Sequence, residues 1–337
     1  MKRKLAYIIC YALPLPVLLF SLFIGSTGQA GLGTTATLLY KKIFLYPFSS
    51  EEETAWQVVK NIIYNIRLPR VLLTFLVGAA LSASGSVLQG IFRNPLVDSY
   101  VLGISSGAAL GAALAITYAF LPVNIAAFAG GTLAVILTYI VAGIRSNTSI
   151  ISIVLSGMVI SGMFTAGITI VQYLSNPYKL QAIVQWTMGN LHSASWQELK
   201  QTYIPVLAGL VIVFIYRWRV NILSLGDDAA RAAGVNPAFD KWILIGCATL
   251  LTASTVAAVG IISFYGLFLP HIVRMLLGAD NRRAIPASIF LGGSFLLLID
   301  NFSRAMFVFE IPIGIFTMLL GGPFFIYLMR KNKLNWH

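Results

Sequence analysis

Residues 65–96 read NIRLPRVLLTFLVGAALSASGSVLQGIFRNPL. Two arginines three positions apart, Arg67 and Arg70, are followed by 22 residues without a charge, up to Arg93. A helix that crosses the hydrocarbon core of a bilayer needs about 20 mainly apolar residues, so this run has the length of a membrane span. The rest of the chain is of the same kind. Of its 337 residues 58% are hydrophobic and only 10% charged, with a mean hydropathy of +0.84, whereas soluble domains carry roughly a quarter charged residues. The composition predicts an all-α integral membrane protein, organised as one membrane domain over residues 1–337.

Ten apolar runs are long enough or nearly long enough to be spans, at about 5–25, 70–92, 100–121, 123–144, 149–174, 202–216, 242–262, 264–277, 284–300 and 311–329. The seventh and eighth are separated by little more than ISFYG, which reads as a re-entrant break as well as it reads as a loop. The first follows MKRK and is expected to be a retained helix, not a cleaved signal. A formal charge of +12 does not require nucleic acid, because Lys and Arg gather beside membrane helices on the cytoplasmic side. With a cytoplasmic amino terminus, 15 of the 23 Lys and Arg fall on inner segments. Five of the other eight lie in or just after one long outer loop, about residues 26–66, where the rule weighs little. Both termini are therefore expected in the cytoplasm, with Arg67, Arg70 and Arg304 outside and the stretch Arg217 to Lys241 inside.

Small residues recur every four positions in three places: Gly78, Ser82, Ser86 and Gly90; Gly103, Gly107 and Gly111; Gly157, Ser161, Thr165 and Thr169. The first two stripes predict close helix packing. The third also carries hydroxyls, so Gly157, Ser161 and Thr165 are candidates for a polar translocation path. No Asp, Glu, Lys or Arg sits in the middle of a run, which argues against an ion-coupled secondary carrier. The chain lacks a GxxxxGK[ST] nucleotide loop, so energy for active transport must arrive through a partner. Cys10 and Cys247 lie in apolar runs and read as packing residues, and the three histidines are too scattered for a metal or catalytic cluster.

The inner segment RWRVNILSLGDDAARAAGVNPAFDKW contains a short helix with its own stops. Asp227 and Asp228 suit its start, Arg231 its end, Gly234 a left-handed cap, and Pro237 follows. Between two spans it reads as an interfacial helix or as a docking element for a soluble protein.

Four blocks carry a resemblance to a known family: RLPRVLLTFLVGAALSASGSVLQGIFRNPLVDSYVLGISSGAALGA, LSLGDDAARAAGV, GLFLPHIVRMLLG and EIPIGIFTMLLGGPFFIYLMRK. In order and spacing, from about residue 60 to 331, they resemble FecCD-type permeases, the membrane subunits of ABC importers for iron-siderophores, haem and vitamin B12. The resemblance implies ten transmembrane helices in a vitamin B12 permease-like fold, in the cytoplasmic membrane of a bacterium or archaeon. It implies a second copy of the chain, two ATP-binding cassette subunits below and an extracytoplasmic substrate-binding protein above. ATP and Mg would be bound by the ATPase, with no cofactor in this chain. Carried over by position, Arg67, Arg70 and Arg304 match arginines that meet acidic residues of the binding protein. Leu225, Gly226, Asp227, Asp228, Ala229, Ala230, Arg231, Ala232, Ala233 and Gly234 match the coupling helix that sits in the ATPase. The paired Asp227 and Asp228 depart from the single acid of LGE-type versions, and Gly157, Ser161 and Thr165 lie on the helix that narrows the family's path. His271 reads as a packing residue, and His192 with Trp196 as an outer loop with an interfacial aromatic. The expected substrate is a ferric siderophore, haem or a cobalamin, with molybdate as the alternative cargo.

Overall fold

The computed structural model describes residues 2–25, 31–44, 49–143, 150–306 and 310–331, and every element among them is helical. Helices α1 (Lys2–Ala12) and α2 (Pro14–Ser21) form the first apolar segment, broken at Leu13 because Pro14 and Pro16 start a new helix and cannot donate to the old one. After α3 (Leu32–Phe44), α4 (Ser50–Asn61) continues through a π turn at Ile62–Arg67 into α5 (Leu68–Ile91). A 3₁₀ turn, Ser99–Leu102, precedes α6 (Ile104–Tyr118); α7 (Val123–Ala142) and α8 (Ile150–Leu174) follow. The chain then runs through α9 (Pro177–Thr187), α10 (Trp196–Ser224), α11 (Asp227–Ala232) and α12 (Pro237–Val259). It ends with α13 (Tyr265–Leu277), α14 (Asn281–Ala305) and α15 (Ile313–Lys331).

Among the described residues, ten apolar helical segments thus fall on the ten expected runs. Six, in Ser50–Ile91, α7, α8, α10, α12 and α14, are long and apolar enough to cross a membrane alone; those at Tyr7–Ser21, Ile104–Tyr118, Tyr265–Leu277 and Ile313–Tyr327 are shorter. The core is built round α5. Its spanning window is 83% buried and those of α12 and α14 72%, against 22% for α8. Small residues allow this. The face of Gly78 lies against the Gly292 backbone, and the face of Gly107 against that of Gly130. A side chain at either glycine would push the helices apart where lipid gives no hydrophobic force to hold them. One buried hydroxyl pair joins two helices, Ser84 Oγ with Thr252 Oγ1 at 2.9 Å.

Several expectations are corrected. The outer loop expected over 26–66 is largely helical: α3, α4 and the π turn occupy it, apart from 26–30 and 45–48, which lie outside the described residues. Ser49 caps α4, accepting from Glu52 N at 3.3 Å while Glu52 Oε2 accepts from Ser49 N at 3.0 Å, a reciprocal arrangement with a sequence signature. Pro69 explains the π turn, since it has no N–H to give the ladder, and Leu68 N instead reaches back five residues to Ile63 O. The segment after α8 also contains a helix, α9, capped by Asn176 and opened by Pro177. The sixth run, expected at 202–216, extends over all of Trp196–Ser224 because helix propensity continues past its apolar centre. Between α12 and α13 the chain breaks at Gly260 (φ 75) and Phe264 (φ 61), just before and within ISFYG.

Candidate functional site

Three regions carry the sequence-derived candidates, and the first lies at the amino-terminal end of α5. Arg67, Arg70 and Arg304 do come together there, but as an internal network. Arg70 donates from Nε and Nη2 to Asp300 Oδ1, at 3.2 and 2.8 Å, and from Nη1 to Glu310 Oε2 at 2.8 Å. Arg304 Nε stands 3.0 Å from the other Asp300 oxygen. Its Nη atoms donate to Ile24 O, Ser21 O and Asn301 Oδ1. Arg67 Nη1 donates to Leu22 O at 3.1 Å. Arg67 and Arg304 thereby supply donors to the last carbonyls of α2, where a helix presents partial negative charge.

The exposed cationic rim expected from sequence is therefore corrected at the level of the side chains. Arg67 is 4% exposed and Arg304 3%, and the Arg70 side chain is 11% exposed. The physical reason is Asp300, itself 1% exposed: a buried carboxylate draws guanidinium groups to it because neither charge is tolerable alone. Sequence reasoning missed this partner, although Asp300 and Arg304 stand four apart on one helix face, the spacing at which opposite charges meet. Beside the cluster, His192 Nδ1 is 3.3 Å from Glu310 Oε2, and Trp196 Nε1 donates to Tyr64 O at 3.0 Å.

At the opposite end of α5 stands α11. Gly226 (φ 116) turns the chain out of α10, and Gly234 (φ 76) closes α11 with a left-handed residue. Gly234 N donates to Arg231 O and Val235 N to Ala230 O, the paired bonds of a Schellman cap, with Val235 and Ala230 both buried beneath. Asp227 is anchored to Lys241 Nζ of α12 at 2.6 and 2.8 Å. Arg219 Nη1 of α10 donates to the buried Asp240 of α12 at 2.7 Å. The helix is thus pinned by one face and offers the other: Leu225, Asp228, Ala229, Arg231, Ala232, Ala233 and Gly234 are exposed. Leu225, at 74% exposure, is an apolar residue with no intramolecular reason to face outward.

The third region is the α6–α8 face. A groove of about 590 Å³ is lined by Tyr100, Ser105, Ser106, Ser161, Thr165 and Thr187, among apolar neighbours. Ser161 and Thr165 therefore face it. Gly157 does not: its face meets the Val101 backbone, which makes it a packing residue. The outward side of α8 is apolar and uncovered, with Val159 58%, Met163 66% and Ile170 60% exposed. No group of His, Cys, Asp and Glu among the described residues has the spacing of a metal site. Cys10 and Cys247 are buried free thiols, and His271 packs edge-on against Phe324.

Comparison with known proteins agrees in extent with this architecture. Residues 13–331 match the FecCD transport family. A probable iron chelatin transport system permease protein of Helicobacter pylori is 40% identical over 81% of this chain and 83% of its own. A molybdate import system permease protein of Haemophilus influenzae is 38% identical over 82% of this chain and 84% of its own. A solved inward-facing conformation of a protein described as a metal-chelate type ABC transporter superimposes with a TM-score of 0.83. It is 34% identical and covers 96% of this chain and 99% of its own.

Proposed function

The chain belongs to the FecCD transport family, and from that premise we propose that it is the translocation subunit of a binding-protein-dependent, ATP-driven importer for an iron chelate, haem or a cobalamin. Hydrolysis of ATP, with its Mg, belongs to a separate cytoplasmic subunit. The observation that carries the reading is α11: a six-residue helix, capped at its C-terminal end and pinned to α12, with the unshielded Leu225 just ahead of it in the turn from α10. An apolar residue held in water by a rigid mount is what a groove on a partner protein would receive.

In this reading two copies of the chain face each other across α8, whose apolar side is uncovered, and the hydroxyls of Ser161 and Thr165 line the path between them. Approach of two ATPase subunits moves the α11 helices, and the central cavity opens alternately to either side. A path with hydroxyls and without charges suits a cargo whose ionic centre is already enclosed by its chelator. The arginine network acts indirectly: by tying α2, α5, α14 and Glu310 together it sets the surface on which the substrate-binding protein lands. Both termini then lie in the cytoplasm, in a bacterial or archaeal cytoplasmic membrane.

Molybdate is a second cargo, favoured by the 38% identity to a molybdate permease. The test is uptake into proteoliposomes by the chain co-purified with its ATPase and binding protein, using ferric siderophores, haem, cobalamin and molybdate in turn. ATP-dependent uptake of one identifies the cargo. A complex that hydrolyses ATP but takes up none of them refutes the substrate assignment.

A further inference from the structure

Helix α5 ends in a Schellman cap: Asn94 N donates to Gln89 O and Arg93 N to Gly90 O. The residue in the left-handed position of that cap is Arg93, with φ 51, where a glycine would sit without steric cost. A non-glycine residue is uncommon in this region, and Ala119 and Phe264 are the other two among the described residues. The Arg93 side chain is exposed and lies at the start of α11: a methyl group built on Gly226 would stand 3.3 Å from Arg93 Nη1.

No carboxylate among the described residues forms an ion pair with this cation, and Asp98, five positions on, accepts from Tyr100 N instead. All eleven acidic residues of the chain are among those described. The nearby ones are engaged elsewhere, Asp227 with Lys241, Asp228 with Arg231, and Asp280 with Asn221 and Arg283. The adjacent N-terminus of α11 adds partial positive charge, which repels the guanidinium further.

We propose that Arg93 is a second docking residue on the α11 surface and that its partner is a carboxylate of the cytoplasmic ATPase subunit. Seated on the last turn of α5, it ties that subunit directly to the most buried helix of the bundle, beside the contact made by α11. The proposal rests on the reading of α11 as the ATPase-facing helix.

The test uses the full chain in proteoliposomes with its ATPase, comparing Arg93→Gly, Arg93→Ala and, separately, Arg231→Ala with Gly234→Val. Arg93→Gly relieves the backbone strain, so the permease alone should unfold a degree or two higher. The same variant should bind the ATPase about tenfold more weakly, with a shallower salt dependence and reduced ATP-driven uptake. Arg93→Ala should show the weaker binding without the thermal gain, which separates lost charge from lost fold. Unchanged affinity and salt slope in Arg93→Gly, alongside uncoupling by the α11 variants, would overturn the proposal and leave α11 as the docking helix. Normal coupling in the α11 variants would overturn the α11 reading as well.

Discussion

Replacing Asp300 by Asn separates a buried network from a docking rim more sharply than any change to an arginine. Asp300 is 1% exposed and takes three contacts, from Arg70 at 2.8 and 3.2 Å and from Arg304 at 3.0 Å. Removing one partner of a buried pair costs about 3–5 kcal/mol, because a charge is left without compensation. Here Arg70 keeps Glu310 and Arg304 keeps three acceptors, which places the expected loss near the lower end, about 3 kcal/mol. Adding Arg304→Met to Asp300→Asn should cost less than the two single losses together, with a coupling of about 1 kcal/mol or more, since the second change removes the stranded charge. The assay is thermal and denaturant unfolding of the purified permease, monitored by tryptophan fluorescence. An Asp300→Asn protein within about 0.5 kcal/mol of the parent, or strictly additive losses, would refute the network as a determinant of stability.

Other outcomes follow from the same geometry. Arg70→Glu puts a third carboxylate beside Asp300 and Glu310, so it should lower the unfolding temperature as well as weaken binding-protein capture. A salt-sensitive loss of capture with unchanged stability would restore the exposed-rim reading. Gly234→Val forces a β-branched residue into a left-handed cap and should cost about 1–2 kcal/mol locally, with ATP hydrolysis continuing while uptake falls in proteoliposomes. The fourth outcome concerns pH. Asp98, in the connection after α5, accepts from Tyr100 N at 2.9 Å, yet burial pushes its carboxyl from 3.8 up to about 6. The folded state then prefers the neutral acid, so its contribution is full below about pH 4 and is lost as pH rises through about 6. The span corresponds to roughly 3 kcal/mol. Asp98→Asn should flatten the difference in stability between pH 5 and pH 8 while keeping the turn, because Asn also caps; an unaltered pH profile would contradict it.

The apolar runs were legible because a bilayer demands about twenty consecutive apolar residues, a signal written locally in the chain. Helices α3, α4 and α9 were not found that way, since they are short and amphipathic or polar, but two carried local marks that could have been used: the Ser49–Glu52 capping pair and the Asn176–Pro177 start. The Gly78 and Gly107 stripes were read correctly as packing, because a four-residue repeat of small side chains has a meaning independent of its partner. Gly157 belongs to the same pattern, yet its face meets Val101 and not the groove, a matter of helix rotation that periodicity alone does not specify. The Arg70–Asp300 pair is separated by 230 positions, and only the fold brings such groups together. Arg93 was hidden for another reason: a backbone dihedral leaves no trace in residue type when an arginine takes a place usually given to glycine.

The run from Ser50 to Ile91 is a single helical rod of 42 residues, about 63 Å in contour at 1.5 Å per residue, roughly twice the thickness of a hydrocarbon core. One end lies beside Arg93 and α11, and the other stands well beyond the arginine network. A rod of that length acts as a lever: a tilt of about 5° pivoting at the Arg93 end would sweep the Ser50 tip through about 5 Å by the same rise. A small tilt at the α11 end would thus become a displacement of several ångströms at the Ser50 tip, without any change in the helix itself.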